Sequence, residues 1–353
     1  MNLLEQTIER IQPQDPDSRA QARTRLEQLT MPHWALGRLM DLAEDLAGMT
    51  GTPRPAADRK TVVTMAADHG VTAEGVSKYP AEVTPQMVLN FVNGGAGINA
   101  MARTVGATVV VVDMGVAADL GEPASTGKII SRKIGPGTQN IAQGPAMTHE
   151  QALLSIEAGI EIAHDLADST DVYGTGDMGI GNTTPSAAIA SALTGLSPVQ
   201  VTGRGTGIDD DMFDHKIQVI EKALEVNRPD PADGMDILAK TGGFEIGGIA
   251  GLILGAASLR KPVLVDGFIS TAGALIAHAL APDSACNMIA AHRSLEQGHA
   301  AMHQRLGKEP LLDLNFRLGE GTGAALAMPL VEAAARLLTD VSTFEDASVS
   351  KAE

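Results

Sequence analysis

The sequence predicts an α/β protein built on a doubly wound, mainly parallel sheet, with a small helical domain formed from both chain ends. Three observations carry this. Short β-branched runs recur, each closing on an acidic or glycine-rich loop. A helical pattern follows nearly every such run, and that alternation is the signature of a parallel sheet covered by helices on both faces. The two ends of the chain show helical spacing with no strand between, so they are expected to pack together, residues 1–30 with 295–353, beside an α/β body of residues 31–294. In such a fold, ligands bind at the carboxyl ends of the strands.

Composition narrows the function. The 353 residues suffice for a sizeable core, and the 44% hydrophobic and 20% charged shares are those of an ordinary globular protein. A formal charge of −17 and only 3% aromatic residues argue against nucleic-acid and anionic-membrane partners. The N-terminus lacks the apolar run of a signal peptide, no stretch is long and uniform enough to span a bilayer, and Cys286 is the only cysteine. A cytoplasmic location is expected.

Taken in order, Leu3–Ile11 and Pro32–Met49 carry helical apolar spacing around a polar Gln12–Gln28 segment. Thr61–Ala67 reads as a buried strand ending at Asp68-His69-Gly70. A helix is expected from near Thr84, interrupted at Gly94-Gly95 and resumed over Ala96–Thr104, before the strand Ala107–Asp113. After an irregular stretch, Thr148–Leu166 is a helix capped by Thr148 with Gln151 three residues on. Asp171–Gly174 is a strand feeding Tyr-Gly-Thr-Gly-Asp-Met-Gly-Ile-Gly-Asn-Thr-Thr-Pro (173–185), and the helix Ser186–Leu193 follows. Val199–Gly203 is expected as a strand, Phe213–Leu224 as a helix, and a small-residue helix ends at Leu259. Pro262–Gly267 (strand), Thr271–Ala281 (helix), Ala285–Ala290 (strand), Glu296–Arg305 and Ala324–Leu338 (helices) complete the chain.

The 173–185 stretch packs Gly174, Gly176, Gly179 and Gly181 around Asp177. Glycines allow close approach of a ligand, and a helix start offers free N–H groups, so an anion such as phosphate is the natural occupant. Gly174–Gly179 fits the G-x-G-x-x-G pattern, but no acidic residue stands about 20 residues on to hold a ribose, which removes the support for NAD. No Lys-Ser or Lys-Thr closes a P-loop either. Arg204, within Gly203–Gly207, and Lys216 suit a phosphate or carboxylate, although a surface ion pair explains Arg204 alone equally well. Glu320, in Leu-Gly-Glu-Gly-Thr-Gly, is either a dipole partner for the helix that follows or a general base of raised pKa; chemistry alone weighs these equally, and Asp177 poses the same question. His292, His299 and His303 share a face only if one helix runs through them, and a packed face is favoured over zinc. Asp68-His69 is expected to fix its loop by hydrogen bonds rather than to act as a catalytic dyad.

In this order, Ala66-Ala67-Asp68-His69-Gly70-Val71, Glu74-Gly75-Val76-Ser77, Val83-Thr84-Pro85-Gln86-Met87-Val88, Gly179–Pro185, Gly203–Gly207, Gly242-Gly243-Phe244-Glu245-Ile246 and Arg317–Gly323 resemble the nicotinate-nucleotide–dimethylbenzimidazole phosphoribosyltransferase family over nearly the whole chain. The resemblance implies transfer of phosphoribose from nicotinate mononucleotide to 5,6-dimethylbenzimidazole, with inversion at the anomeric carbon and no cofactor or metal. It implies Glu320 as general base and Asp177 as a second acid, standing where the family often has Glu. Gly176, Gly179, Gly181, Asn182, Thr183, Arg204, Gly205, Lys216 and Ser294 would contact phosphate and ribose. Ser77, Tyr79, Gln86, Met178 and Leu318 would border the base pocket. A Rossmann-like domain, a helical domain from both ends and a homodimer whose sites are completed by the neighbour are implied as well. The rival readings are an NAD-dependent dehydrogenase and a non-catalytic nucleotide-binding sensor.

Overall fold

A computed structural model describes residues 1–350 except Thr206. The N-terminal helices are α1 (Leu3–Ile8), α2 (Pro16–Leu26) and α3 (Arg38–Thr50). The first half of the α/β body runs β1 (Lys60–Ala67), α4 (Val83–Val92), α5 (Gly97–Val105), β2 (Ala107–Gly115), α6 (Glu122–Ser125), β3 (Ile130–Ser131) and α7 (His149–Asp165). Next come β4 (Val172–Met178), α8 (Thr183–Thr194), α9 (Pro198–Val201), α10 (Asp210–Asn227), α11 (Gly234–Thr241), α12 (Phe244–Ser258), β5 (Val263–Val265), α13 (Phe268–Leu280) and β6 (Met288–Ala290). The chain ends with β7 (His292–Ser294), α14 (His299–Leu306), β8 (Leu312–Phe316) and α15 (Thr322–Thr339).

The six strands of the main sheet pair in the order β3-β2-β1-β4-β5-β6, all parallel. Strand order reverses between β1 and β4, so the crevice for a ligand opens beyond Ala67 and Met178. Along β1, Val63, Met65 and Ala67 join a core with α1, α7, α8 and α10–α13, while Val62 and Ala66 join a second core with α2–α5 and α15. A strand buried on both faces is a continuous apolar run for this reason, and the expected doubly wound parallel sheet is what forms. The chain ends meet: Leu29 and Thr343 form an antiparallel bridge, and Arg25 donates to the Leu338 and Val341 carbonyls at 2.5 and 2.9 Å. Among the described residues, no helix is long and apolar enough to cross a membrane.

Several elements differ from the sequence expectation. The polar Gln12–Gln28 segment contains α2, capped by Asp15 with Pro16 at its first position, and it buries only Ser18, Ala22 and Leu26. Three small contacts at i, i+4 and i+8 leave too faint an apolar stripe to read. The expected Pro32–Met49 helix begins only at Arg38, after Gly37 at φ +50°, and runs to Thr50. Val199–Gly203 is not a strand; Pro198–Val201 is a short helix, because Ser197 and Gln200 form a capping box with Pro198 at the first turn. The helix α11, capped by Asp233, has no counterpart among the expected elements. His292 lies on a strand, paired parallel with β8, so no single helix carries the three histidines.

The largest change concerns the stretch 173–185. Strand β4 runs through its first half, so Gly174, Gly176 and Asp177 are strand residues and the turn begins only at Gly179. A Cβ on Gly174 would sit 2.9 Å from Met328 Cε and 3.1 Å from Ala324 Cβ. Gly174 is glycine so that α15 can lie against the sheet.

Candidate active site

Strand ends and helix starts converge at the carboxyl edge of the sheet. Asp68-His69 follows β1, Asp177 closes β4, Asp266 follows β5, and Glu320 precedes α15. Each of these side chains is buried, as is Glu245 in the first turn of α12.

Glu320 is held through both side chain and backbone. Its Oε2 accepts the Ile98 N–H at 3.0 Å, at the start of α5. Thr64, on β1, donates its hydroxyl to the Glu320 carbonyl at 2.9 Å. The backbone there is left-handed at three residues running, Gly319 (φ +83°), Glu320 (+65°) and Gly321 (+95°). Left-handed glutamate is uncommon and is retained where neighbours over-determine it. Burial raises the Glu320 pKa, the Ile98 N–H opposes the rise, and the Asp266 charge adds to it.

Asp177 lies beside this turn: a Cβ on Gly319 would stand 3.3 Å from its Oδ2. That oxygen accepts Asn182 Nδ2 at 3.1 Å, while Oδ1 has no hydrogen-bond partner. Burial first, then the charge of Asp266, raises its pKa well above the usual carboxylate range; Asn182 opposes the rise, and Glu245 and Glu320 reinforce it. Asp177 is thus a buried carboxyl that favours its neutral form, with one oxygen uncommitted.

Asn182 leads into a second cluster. It precedes Thr183, the first residue of α8, whose hydroxyl accepts Lys216 Nζ at 2.6 Å. Lys216 projects from α10 and is almost fully buried; burial brings its pKa down to about 8, against a raising effect of Glu296. A Cβ on Gly205 would lie 3.1 Å from Thr183 Oγ1 and 3.4 Å from Lys216 Nζ, and the Gly205 N–H donates to Glu296 Oε1 at 3.0 Å. Gly181, at φ +89°, makes the turn into α8. A helix start, a buried ammonium and a glycine turn are groups that could receive an anion, although the Gly205 N–H is here taken by Glu296.

The structure therefore brings together Gly181, Asn182, Thr183, Gly205 and Lys216. Gly179 stands apart from them, packed on the Ala67 carbonyl and His69 Nε2. Gly176 faces the Glu320 carbonyl from within β4. Ser294 is buried on β7; its N–H donates to His299 Nδ1 at 2.8 Å, and its hydroxyl accepts the Glu296 N–H at 3.3 Å. Arg204 is turned outward, bonded to the Ile208 carbonyl and Asp210 with its guanidinium over Phe213. Thr206, in the same turn, lies outside the described residues. Of the residues assigned to the base pocket, Ser77 and Met178 are half-buried, while Tyr79, Gln86 and Leu318 are exposed. Leu318 nonetheless touches the start of α5, with its Cδ2 2.9 Å from where a Gly97 Cβ would stand.

His69 Nε2 pairs with Glu245 Oε1 at 2.7 Å, and Asp68 Oδ2 accepts the Ala117 N–H at 2.7 Å. The two neighbours fix the loop by separate bonds. His299 uses both ring nitrogens, one accepting from Ser294 N and the other 2.8 Å from Thr271 Oγ1, which leaves none for a metal. Among the described residues, no group of three or more His, Cys, Asp or Glu could hold a metal ion.

Sequence reasoning passes over Asp266, Thr64, Glu296 and the Ile98 N–H. Asp266 carries a visible signal as the acid ending a β-branched run, the same signal that marks Asp68. The others depend on contacts made across the fold.

A Rossmann-order sheet with a buried lysine beside a helix start and a buried carboxylate at its carboxyl edge is an arrangement that suits a nucleotide-handling transferase. The family profile described as "Phosphoribosyltransferase" matches residues 11–349. The chain is 64% identical to the nicotinate-nucleotide–dimethylbenzimidazole phosphoribosyltransferase of Syntrophotalea carbinolica, over 99% of both chains. It is 57% identical to the enzyme of that name from Desulfotalea psychrophila, over the full length of both. The crystal structure of a similarly named enzyme from Thermus thermophilus superposes with a TM-score of 0.90 at 46% identity, covering 96% of this chain and all of that one. The chain belongs to the nicotinate-nucleotide–dimethylbenzimidazole phosphoribosyltransferase family.

Proposed function

We propose that this protein transfers the 5-phosphoribosyl group of nicotinate mononucleotide to 5,6-dimethylbenzimidazole, giving α-ribazole 5′-phosphate and nicotinate with inversion at the anomeric carbon, as a step in making the lower ligand of cobalamin. The leaving group is a pyridinium, which departs as a neutral ring. The attacking benzimidazole is neutral, and its second nitrogen must shed a proton as the new C–N bond forms. Glu320 is the general base for that proton. The observation that carries the reading is its placement: a buried carboxylate of raised proton affinity, on the same strand edge as the Thr183–Lys216–Gly205 anion cluster and joined to it through Asp177 and Asn182.

In this reading the anion cluster holds the 5′-phosphate, and Asp177, a second carboxyl whose pKa burial raises, faces the base or ribose. Tyr79 and Leu318, 53% and 61% exposed, border the base slot. The exposure of those two side chains supports a homodimer as the working state, with a second copy of the chain closing the slot. The bridge between Leu29 and Thr343 supports grouping the two chain ends, although within residues 295–353 β8 pairs with β7 and α15 packs on the sheet of the 31–294 body.

The test is an incubation with both substrates, analysed for α-ribazole phosphate and free nicotinate. Glu320→Gln should lower kcat by roughly 10²–10⁴ while nicotinate mononucleotide binding persists. Near-normal turnover would remove Glu320 as the base.

A further inference from the structure

The left-handed turn at Glu320 needs something to hold it, and the helix it opens has no side-chain cap of its own, because its N-cap is Gly321. Asp266 supplies both. It follows β5 and is fully buried. Its Oδ1 accepts the Ala324 N–H at 2.8 Å and its Oδ2 accepts the Gly321 N–H at 3.3 Å. The carboxylate of one strand end thus caps the helix start that follows Glu320. A cap taken from a distant element fixes the entry angle of the chain, which here is the direction in which the Glu320 side chain leaves the turn.

We propose that Asp266 is a positioning residue for the reaction: it locks the left-handed Gly319–Gly321 turn that aims the Glu320 carboxylate.

The groups around Glu320 are few and come from several elements. Asp266 stands at the end of β5, with His292 Nε2 of β7 3.7 Å behind its Oδ1. That separation is beyond hydrogen-bond range, and His292 Nδ1 has no partner. Asp177 approaches from the end of β4, and the His69–Glu245 pair lies beyond it. The Ile98 N–H, at the start of α5, is the one donor to the Glu320 carboxylate among the described residues. Among these, the Asp266 charge is the one that raises the proton affinity of Glu320, after burial itself. Neutralising Asp266 should therefore make Glu320 a weaker base that is deprotonated at lower pH.

The inference rests on Glu320 being the base, and the experiment separates the two. Asp266→Asn keeps the shape of the carboxyl, and one of its polar ends still accepts an N–H. Its kcat should fall by roughly 10- to 100-fold through misaim of the turn, with KM for nicotinate mononucleotide within about twofold. The acidic limb of its kcat/KM profile for the benzimidazole should move to lower pH. A merely structural role would lower activity without moving that limb. If Glu320→Gln abolishes turnover and Asp266→Asn leaves both kcat and the limb as in the parent, the positioning role is overturned and the base assignment stands. If Glu320→Gln turns over normally, the base assignment fails first. Should Asp266→Asn not accumulate as folded protein, Asp266→Glu keeps the carboxylate but lengthens the cap by one methylene. It should lower kcat roughly tenfold with the KM for nicotinate mononucleotide within about twofold, and an unchanged kcat would overturn the proposal.

Discussion

Gly176→Ala tests how the site is built. Gly176 is paired with Thr64 across β4 and β1, and its missing side chain points at the turn before α15. An alanine Cβ would stand 2.7 Å from the Glu320 carbonyl carbon and 2.9 Å from Thr64 Oγ1, and closer still to the Glu320 carbonyl oxygen. Ordinary van der Waals contact begins at 3.4 Å, so the carbonyl carbon must give way by about 0.7 Å. Neither side yields freely. Gly176 is in the middle of a buried sheet, and Glu320 is tied by Thr64, Asp266 and Ile98. A displacement approaching 1 Å at a reacting group costs up to roughly 10² in rate, and overpacking a core costs about 1–3 kcal/mol. The variant should therefore fold with a lowered melting temperature, bind nicotinate mononucleotide normally and lose kcat. Initial rates at saturating nucleotide, KM for each substrate and a thermal melt give all three quantities. A raised nucleotide KM with intact kcat would refute the reasoning and place Gly176 against the phosphate after all.

Two further predictions use the electrostatics. Burial leaves Lys216 with a pKa of about 8, so kcat/KM for nicotinate mononucleotide should decline as pH rises past about 8, and Lys216→Met should abolish that decline along with most of the affinity. The same group acts oppositely on stability: its folded pKa lies below the ordinary 10.5, so between about 8 and 10.5 the unfolded chain binds more protons and stability gains with rising pH. An affinity that is flat from about pH 7 to pH 9.5 would remove Lys216 from the anion site. His69→Ala leaves Glu245 fully buried without the partner now 2.7 Å away, at a cost of about 3 kcal/mol in a denaturant melt. A loss below about 0.5 kcal/mol would show the pair to be replaceable.

The strands were legible where their chemistry is redundant. Val62–Ala67 sits in the middle of the sheet between two helical layers, and Val109–Val112 beside it has a free edge until β3 joins at Val112; β-branched or small apolar residues satisfy both settings. Helix starts were legible where a cap announces them, as with Thr148 and Gln151, whose reciprocal bonds form at 3.1 and 3.0 Å. The helix α2 buries too little to show a stripe, and α9 is decided by one capping box against two valines. Within the site, Glu320, Asp177 and Thr183 stood out as polar residues within glycine-rich turns and Lys216 as a cation shortly after one, while the role of Glu320 rested on the family resemblance. Asp266, Thr64 and Glu296 stood out less, since their partners lie 58, 256 and 91 residues away.

Glycine was the least separable signal, because one residue type serves three purposes here. Along α12, Gly248 and Gly251 let that helix lie against α7 and the sheet: a Cβ on Gly251 would stand 2.8 Å from the Ile156 carbonyl carbon, and one on Gly248 would stand 2.8 Å from Met114 Cε. Gly174 and Gly176 clear the way for α15 and its leading turn. Gly181, Gly319 and Gly321 instead supply positive φ where the chain bends beside the anion cluster and the carboxylate. Glycine count alone therefore does not mark a ligand. The mark is a glycine turn interrupted by a residue that should not be there, and in this chain that residue is Glu320, held left-handed between two glycines. A side chain kept in an unfavourable backbone region, buried and tied by Thr64, Ile98 and the Asp266-capped turn, is maintained for where it points. For that reason Glu320→Gln, which keeps the turn and removes only the proton acceptor, should leave the melting temperature nearly unchanged while turnover collapses.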